Sequence, residues 1–96
     1  MTAYIIVDVE AIDAEGYAEY AKRVPETLEP FGGRFLVRGG RCETLEGGWQ
    51  PKRVVVLAFP SMEKAKAWWA SEIYAEPKTL RQRTARTRMI AVQGVA

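Results

Sequence analysis

Apolar residues recur along this chain with two different periods. Residues 4–9, Tyr-Ile-Ile-Val-Asp-Val, are a β-branched run that predicts a strand. From Tyr17 the period becomes helical: Tyr17, Tyr20, Ala21, Val24, Leu28 and Phe31 form one apolar stripe. Asp13 is placed to cap this helix, and Glu15 sits in its first turn, where a negative charge is favourable. Pro25 predicts a kink or restart, and Gly32-Gly33 an end. A second strand is expected at 34–38, with a bulge at Gly39-Gly40. Residues 41–46 are expected to stay extended, Gly47-Gly48 to turn the chain, and Trp49 to begin its return to a third strand at 53–59. Ser61 predicts the cap of a second helix in which Met62, Ala65 and Trp69 share a face, with Trp68 beside it. Pro77 is expected to break or restart that helix near Tyr74, and residues 86–93 to form the last strand.

This order, βαββαβ, is the ferredoxin-like plan: an α+β fold with a four-stranded antiparallel sheet and both helices on one face. The 96 residues are expected to form a single domain.

Strand parity, taken without bulges, sorts the sheet into two faces. One carries Ile5, Val7, Val9, Phe35, Val37, Val54, Val56, Ala58, Ile90 and Val92, and the helices are expected to pack there. The second carries Tyr4, Ile6, Asp8, Arg34, Leu36, Arg38, Arg53, Val55, Leu57, Phe59, Met89, Ala91 and Gln93. So many apolar groups facing water favour burial against a second copy, at ~1–2 kcal/mol each before entropy is counted. Two such sheets packed face to face give a homodimer, a dimeric α/β barrel. Strands one and three are expected to run together, opposite to two and four, which puts Asp8, Arg34 and Phe59 near one end of the inner face and Tyr4, Arg38, Arg53 and Gln93 near the other.

Composition narrows the chemistry. Histidine is absent and Cys42 is the only cysteine. No intrachain disulfide is available, and Ser-His-Asp or Cys-His catalysis, histidine-ligated haem and the common zinc sites are excluded. The carboxylates show no metal-ligand spacing, so neither cofactor nor metal is expected. A net charge of +2 does not by itself imply nucleic acid. The run Arg81, Arg83, Arg86, Arg88 has no interleaved aromatics and reads as a solvated face. The start of the chain lacks the basic region of a signal peptide, and no stretch approaches a membrane span, so a cytoplasmic protein is expected.

Several motifs together resemble the family called domain of unknown function 1330. They are Gly-Gly-Arg-Phe-Leu-Val-Arg-Gly-Gly (32–40), Glu-Gly-x-Trp-x-Pro-x-Arg-Val-Val-Val-Leu (46–57), Phe-Pro-Ser-Met-Glu-Lys-Ala (59–65), Trp-Trp-x-Ser-x-x-Tyr (68–74) and Leu-Arg-Gln-Arg-x-Ala-Arg-Thr-Arg-Met-Ile (80–90). The resemblance covers nearly the whole chain. It implies the dimeric α/β-barrel superfamily, whose members include cofactor-free monooxygenases, small isomerases and haem-degrading enzymes. The family has no agreed activity. It usually has glutamate just before the motif tyrosine; here Ile73 holds that position and Glu72 stands one earlier.

Candidate ligand contacts are Tyr4, Arg34, Arg38, Arg53, Trp68, Tyr74 and Gln93: arginine forks for oxygen anions, with aromatic walls. Asp8 and Tyr74 are the candidates for moving a proton, and Arg38, with space left beside it by Gly39-Gly40, for stabilising negative charge. The same polar groups would also serve as salt bridges and hydrogen bonds stabilising a dimer. Trp69 reads as core, Trp49 as a hairpin or interface plug and Cys42 as a spectator thiol. The functional expectation is a homodimer that binds a small polar or anionic molecule, as a cofactor-free isomerase or monooxygenase. The alternative is a non-catalytic structural or stress-related dimer. A solvent-connected cavity large enough for a ligand separates the two.

Overall fold

The β-branched run at the start of the chain does form a strand. In the computed structural model, which describes residues 1–95, β1 (Ala3–Ala11) buries Ala3, Ile5, Val7 and Val9 and leaves Tyr4, Ile6 and Asp8 half-buried. It is followed by α1 (Ala14–Leu28), a one-turn 3-10 helix (Glu29–Phe31), β2 (Arg34–Arg38), β3 (Arg53–Phe59), α2 (Met62–Trp69), α3 (Glu72–Thr84) and β4 (Ala85–Gln93). The strands form one open antiparallel sheet in the order β2-β3-β1-β4, with the helices on one side, as the ferredoxin-like plan requires.

β1 is antiparallel to both β3 and β4, so it runs with β2 and not, as expected, with β3. Each helical crossover returns the chain in the direction it left. The expected sorting of polar groups is corrected accordingly. Asp8 is level with Val54 and Arg88, Val9 with Arg53, and Arg38 with Val55. Tyr4 and Arg34 lie at the other end, both level with Ala58, where Ala3 pairs with Phe59 and Gln93.

Directly paired residues share a face. Ile5 pairs with Leu57 and Ala91, and Val7 with Val55 and Met89, so Val55, Leu57, Phe59 and Met89 lie on the helix side, not on the second face. The outer face instead carries Tyr4, Ile6, Asp8, Val54, Val56 and Val92, with Ile90 61% exposed. β3 is apolar at every position from Val54 to Phe59, so its alternation carried no phase.

A bulge completes the correction. The β2–β3 register shifts between Phe35 and Val37, so the extra residue is Leu36 and not the expected Gly39-Gly40. Val37 pairs with Val56 on the outer face, and Arg38 is turned to the helix side. Residues 39–52 form no strand and no hairpin ladder; with paired glycines near both ends and Pro51 before β3, the segment stays irregular.

Asp13, Ser61 and Ser71 each cap a helix, accepting from Gly16 N (3.1 Å), Lys64 N (3.1 Å) and Tyr74 N (3.3 Å). The interruption after α2 therefore falls at Ala70-Ser71, and Pro77 sits inside α3. α1 also runs through Pro25 without restarting. Pro25 has no N–H for the carbonyl of Ala21 one turn earlier, and Arg38 Nη2 donates to that oxygen instead at 2.6 Å. The core lies between sheet and helices, with Ile5, Leu57 and Phe59 meeting Tyr20, Leu28 and Trp68. Trp68 is fully buried and Trp69 is 43% exposed, the reverse of the expected assignment. No helix among the described residues is long and apolar enough to cross a membrane.

Candidate functional site

The helix-side cleft is lined by three of the candidate residues, Arg38, Arg53 and Trp68, with a fourth, Tyr74, fully buried behind them, and adds three that sequence reasoning did not assign to a site. Tyr17 and Tyr20 come from the buried stripe of α1. Tyr74 and Arg81 stand seven residues apart on α3, two helical turns, and so share a face. Their side chains form a chain of hydrogen bonds. The hydroxyls of Tyr20 and Tyr74 are 2.7 Å apart, Arg81 Nε donates to the Tyr74 hydroxyl at 3.2 Å, and Arg81 Nη1 donates to Thr87 Oγ1. Burial, with Tyr74 next in effect, pushes the Tyr20 phenol far above its ordinary range and keeps it protonated.

Trp68 backs this chain. Its ring lies 4.0 Å from that of Tyr74, and its indole N–H donates to Thr27 Oγ1 at 3.0 Å, which in turn donates to the Val24 carbonyl at 2.7 Å. With its polar atom satisfied inside the protein, Trp68 acts as a rigid wall.

Arg53 enters the cleft from the start of β3. Its guanidinium lies 5.7 Å from the Tyr17 ring centroid and fills the space that Gly39 leaves open. Gly39 has φ +72°, and a side chain there would collide with the guanidinium, so the room expected beside Arg38 is taken by Arg53. Arg53 Nε is buried and has no hydrogen-bond partner. Arg38 is held by the Ala21 carbonyl and lies 4.2 Å above the Phe35 ring centroid.

The electrostatics of the cleft are one-sided. Arg38, Arg53 and Arg81 line it, and no aspartate or glutamate does. Arg81 is only 4% exposed, yet no carboxylate among the described residues comes within salt-bridge distance. The free volume here is about 20 Å³, enough for one water molecule. A second space of about 760 Å³ opens between α2, α3 and β4, and shares Arg81 and Met89 with the cleft. Arg81 read in sequence as part of a solvated basic run; its spacing from Tyr74 was the signal available.

The remaining candidates lie elsewhere. Asp8 is on the outer face, where its Oδ2 accepts from Arg88 Nη2 (2.9 Å) and Trp49 Nε1 (3.0 Å). Arg88 first and Trp49 second hold this carboxyl below its ordinary range. These groups edge a hollow of about 810 Å³ over the outer face. Tyr4, Arg34 and Gln93 sit at the far end of the sheet, and Gln93 Nε2 points to Met1 Sδ at 2.9 Å. Trp49 thus fastens an irregular loop to the sheet and plugs no hairpin. Cys42 is exposed. No cluster of three or more His, Cys, Asp or Glu residues among those described is arranged to hold a metal.

Known structures share this architecture. A protein of unknown function from Rhodopseudomonas palustris matches with TM-score 0.79 and 20% identity, covering 99% of this chain and 83% of its own. A dimeric ferredoxin-like protein of unknown function from Jannaschia sp. CCS1 matches with TM-score 0.73 and 11% identity, over 98% and 100% of the two chains. SnoaB, a cofactor-independent oxygenase from Streptomyces nogalater, matches with TM-score 0.58 and 11% identity, over 99% and 92%. At these identities the likeness is one of fold. No curated protein matches the chain. The model of one family spans residues 2–95, and the chain belongs to that family, the domain of unknown function DUF1330.

Proposed function

We propose that this protein is a homodimer that binds a small molecule through an anionic group held at Arg53 and Arg81. One observation carries the reading: a cleft that holds the buried Arg81 is lined by guanidinium groups and by no carboxylate. A buried cation without a counter-charge is costly, and a buried donor without an acceptor adds to that cost. A carboxylate or similar anion that places one oxygen in the cleft supplies both needs with charge-assisted hydrogen bonds. The dimer rests on the outer sheet face, where Ile6, Val54, Val56, Ile90 and Val92 present apolar surface, and on the described dimer of the Jannaschia protein with the same fold.

Binding has better support than acid–base catalysis by Asp8, whose carboxylate is already engaged by Arg88 and Trp49. The test is calorimetric titration with acetate and with inorganic phosphate, on the unaltered protein and on Arg53→Gln. Saturable binding of either anion, weakened in the variant, supports the reading. Absence of heat from both anions overturns it.

A further inference from the structure

The cleft around Arg53 and Arg81 has space for one water-sized group and none for the body of a ligand. The adjoining groove has the opposite character. Ile5, Ala65, Ala85, Met89 and Ala91 give it an apolar lining, and Trp69 stands at its wall. That ring is fixed in place: Lys78 Nζ lies 3.8 Å over its centroid and donates to the Trp69 carbonyl at 2.9 Å. Its volume, about 760 Å³, falls within the range typical of small-molecule sites.

Charge fixes the orientation of an occupant. The groove's charged residues are Lys66 and Arg81, and no carboxylate lines it. Arg81 is the hinge between the two spaces. Its Nε and Nη1 are bound by Tyr74 and Thr87, whereas Nη2 has no protein acceptor among the described residues. The side chain is thus held from behind, with one donor edge left for a ligand.

We infer that the groove between α2, α3 and β4 takes an amphipathic monocarboxylate, its head on Arg81 and its apolar tail along Ala65, Met89 and Ala91. This rests on the anion-binding reading above and adds to it the class of ligand. A free inorganic anion would leave the apolar lining unused. A neutral hydrocarbon would leave Arg81 without a counter-charge.

Calorimetric titration of the full chain with octanoate, acetate and 1-octanol separates the terms. Octanoate is expected to bind at least about tenfold more tightly than either of the others, because each lacks one half of the interaction. Ala91→Trp, at an exposed position in the groove, is expected to weaken octanoate at least about tenfold and to leave acetate unchanged. Arg81→Gln, checked for native circular dichroism, is expected to bring octanoate down to the level of octanol. Should that variant not fold, the Ala91→Trp result decides alone. Octanoate binding no tighter than acetate, or unaffected by Ala91→Trp, overturns the groove assignment while leaving the anion reading standing. Failure of octanoate and acetate, together with the phosphate control, overturns both.

Discussion

Arg38 completes a hydrogen bond that Pro25 cannot make: its guanidinium donates to the Ala21 carbonyl, the group left without an intrahelical partner because the residue one turn later is proline. A side chain that reads in sequence as a ligand contact has a structural role on α1. The bulge at Leu36 makes this reach available by turning Arg38 to the helix side.

The first prediction follows from that pairing. Arg38→Met is expected to lower stability by roughly 1 kcal/mol, because a partly exposed bond to a carbonyl is lost. For a chain of this size that lowers the melting temperature by about 4–8 °C. In a Pro25→Ala background the backbone N–H returns and the same substitution is expected to cost less. Urea unfolding of the four proteins in a double-mutant cycle measures the difference. Additive losses would show that Arg38 does not act through the Ala21 carbonyl.

The two sheet faces respond differently to a charge. Ile90→Asp is expected to leave the fold intact, since the residue is exposed in the single chain, and to convert the proposed dimer to monomers in sedimentation velocity. Leu57→Asp is expected to unfold the protein itself, since Leu57 is 2% exposed under the helices. A dimer that survives Ile90→Asp would locate the interface elsewhere.

Tyr74→Phe removes the hydroxyl between Tyr20 and Arg81. Both are buried and each loses a partner, so a loss of about 1–3 kcal/mol is expected. Chemical denaturation reads it. An unchanged midpoint would mean that the chain of hydroxyls is not formed in solution.

Asp8 sets a pH dependence for the 39–52 loop. Its folded pKa lies below the ordinary value of 3.8 because Arg88 and Trp49 hydrogen-bond the charged form. The stabilisation is therefore full above pH 3.8 and is lost as the pH falls through the lower folded value. The Trp49 indole N–H resonance, followed by NMR from neutral pH downward, is expected to titrate with a midpoint below 3.8. In Asp8→Asn it is expected to show no such transition. A midpoint above 3.8 would contradict the direction of the shift.

The fold was legible where one period dominated. β1 is a β-branched run, α1 has a stripe with an aspartate cap, and both formed where expected. β3 offered apolar residues at both parities, so only cross-strand register decides that Val55 and Leu57 face the helices and Val54 and Val56 do not. Leu36 carries no mark of a bulge, yet it alone decides on which side Arg38 emerges. Trp68 and Trp69 are adjacent and equally apolar, and on α2 it is Trp68, three residues after the buried Ala65, that turns inward. The candidate site was legible as residue types, arginines and aromatics, but not as a constellation. Arg81 entered it through helical geometry, while Tyr4, Arg34 and Gln93 fell at the far end once strand direction was known.

The pairing of β1 with β4 brings Ala3 beside Gln93, and β1 sits inside the sheet between β3 and β4. Of the four strands, the one synthesised first is thus a central one, and both of its neighbours follow later in the chain, β4 after the other three. Until β4 emerges, Ile5 and Val7 lack one flanking strand, and the ladder edge that β4 will cover stays open. Sheet closure is therefore a late and long-range event, which slows folding compared with a chain of local contacts. During synthesis the nascent β1 has time to meet another copy or a chaperone before its own partner arrives.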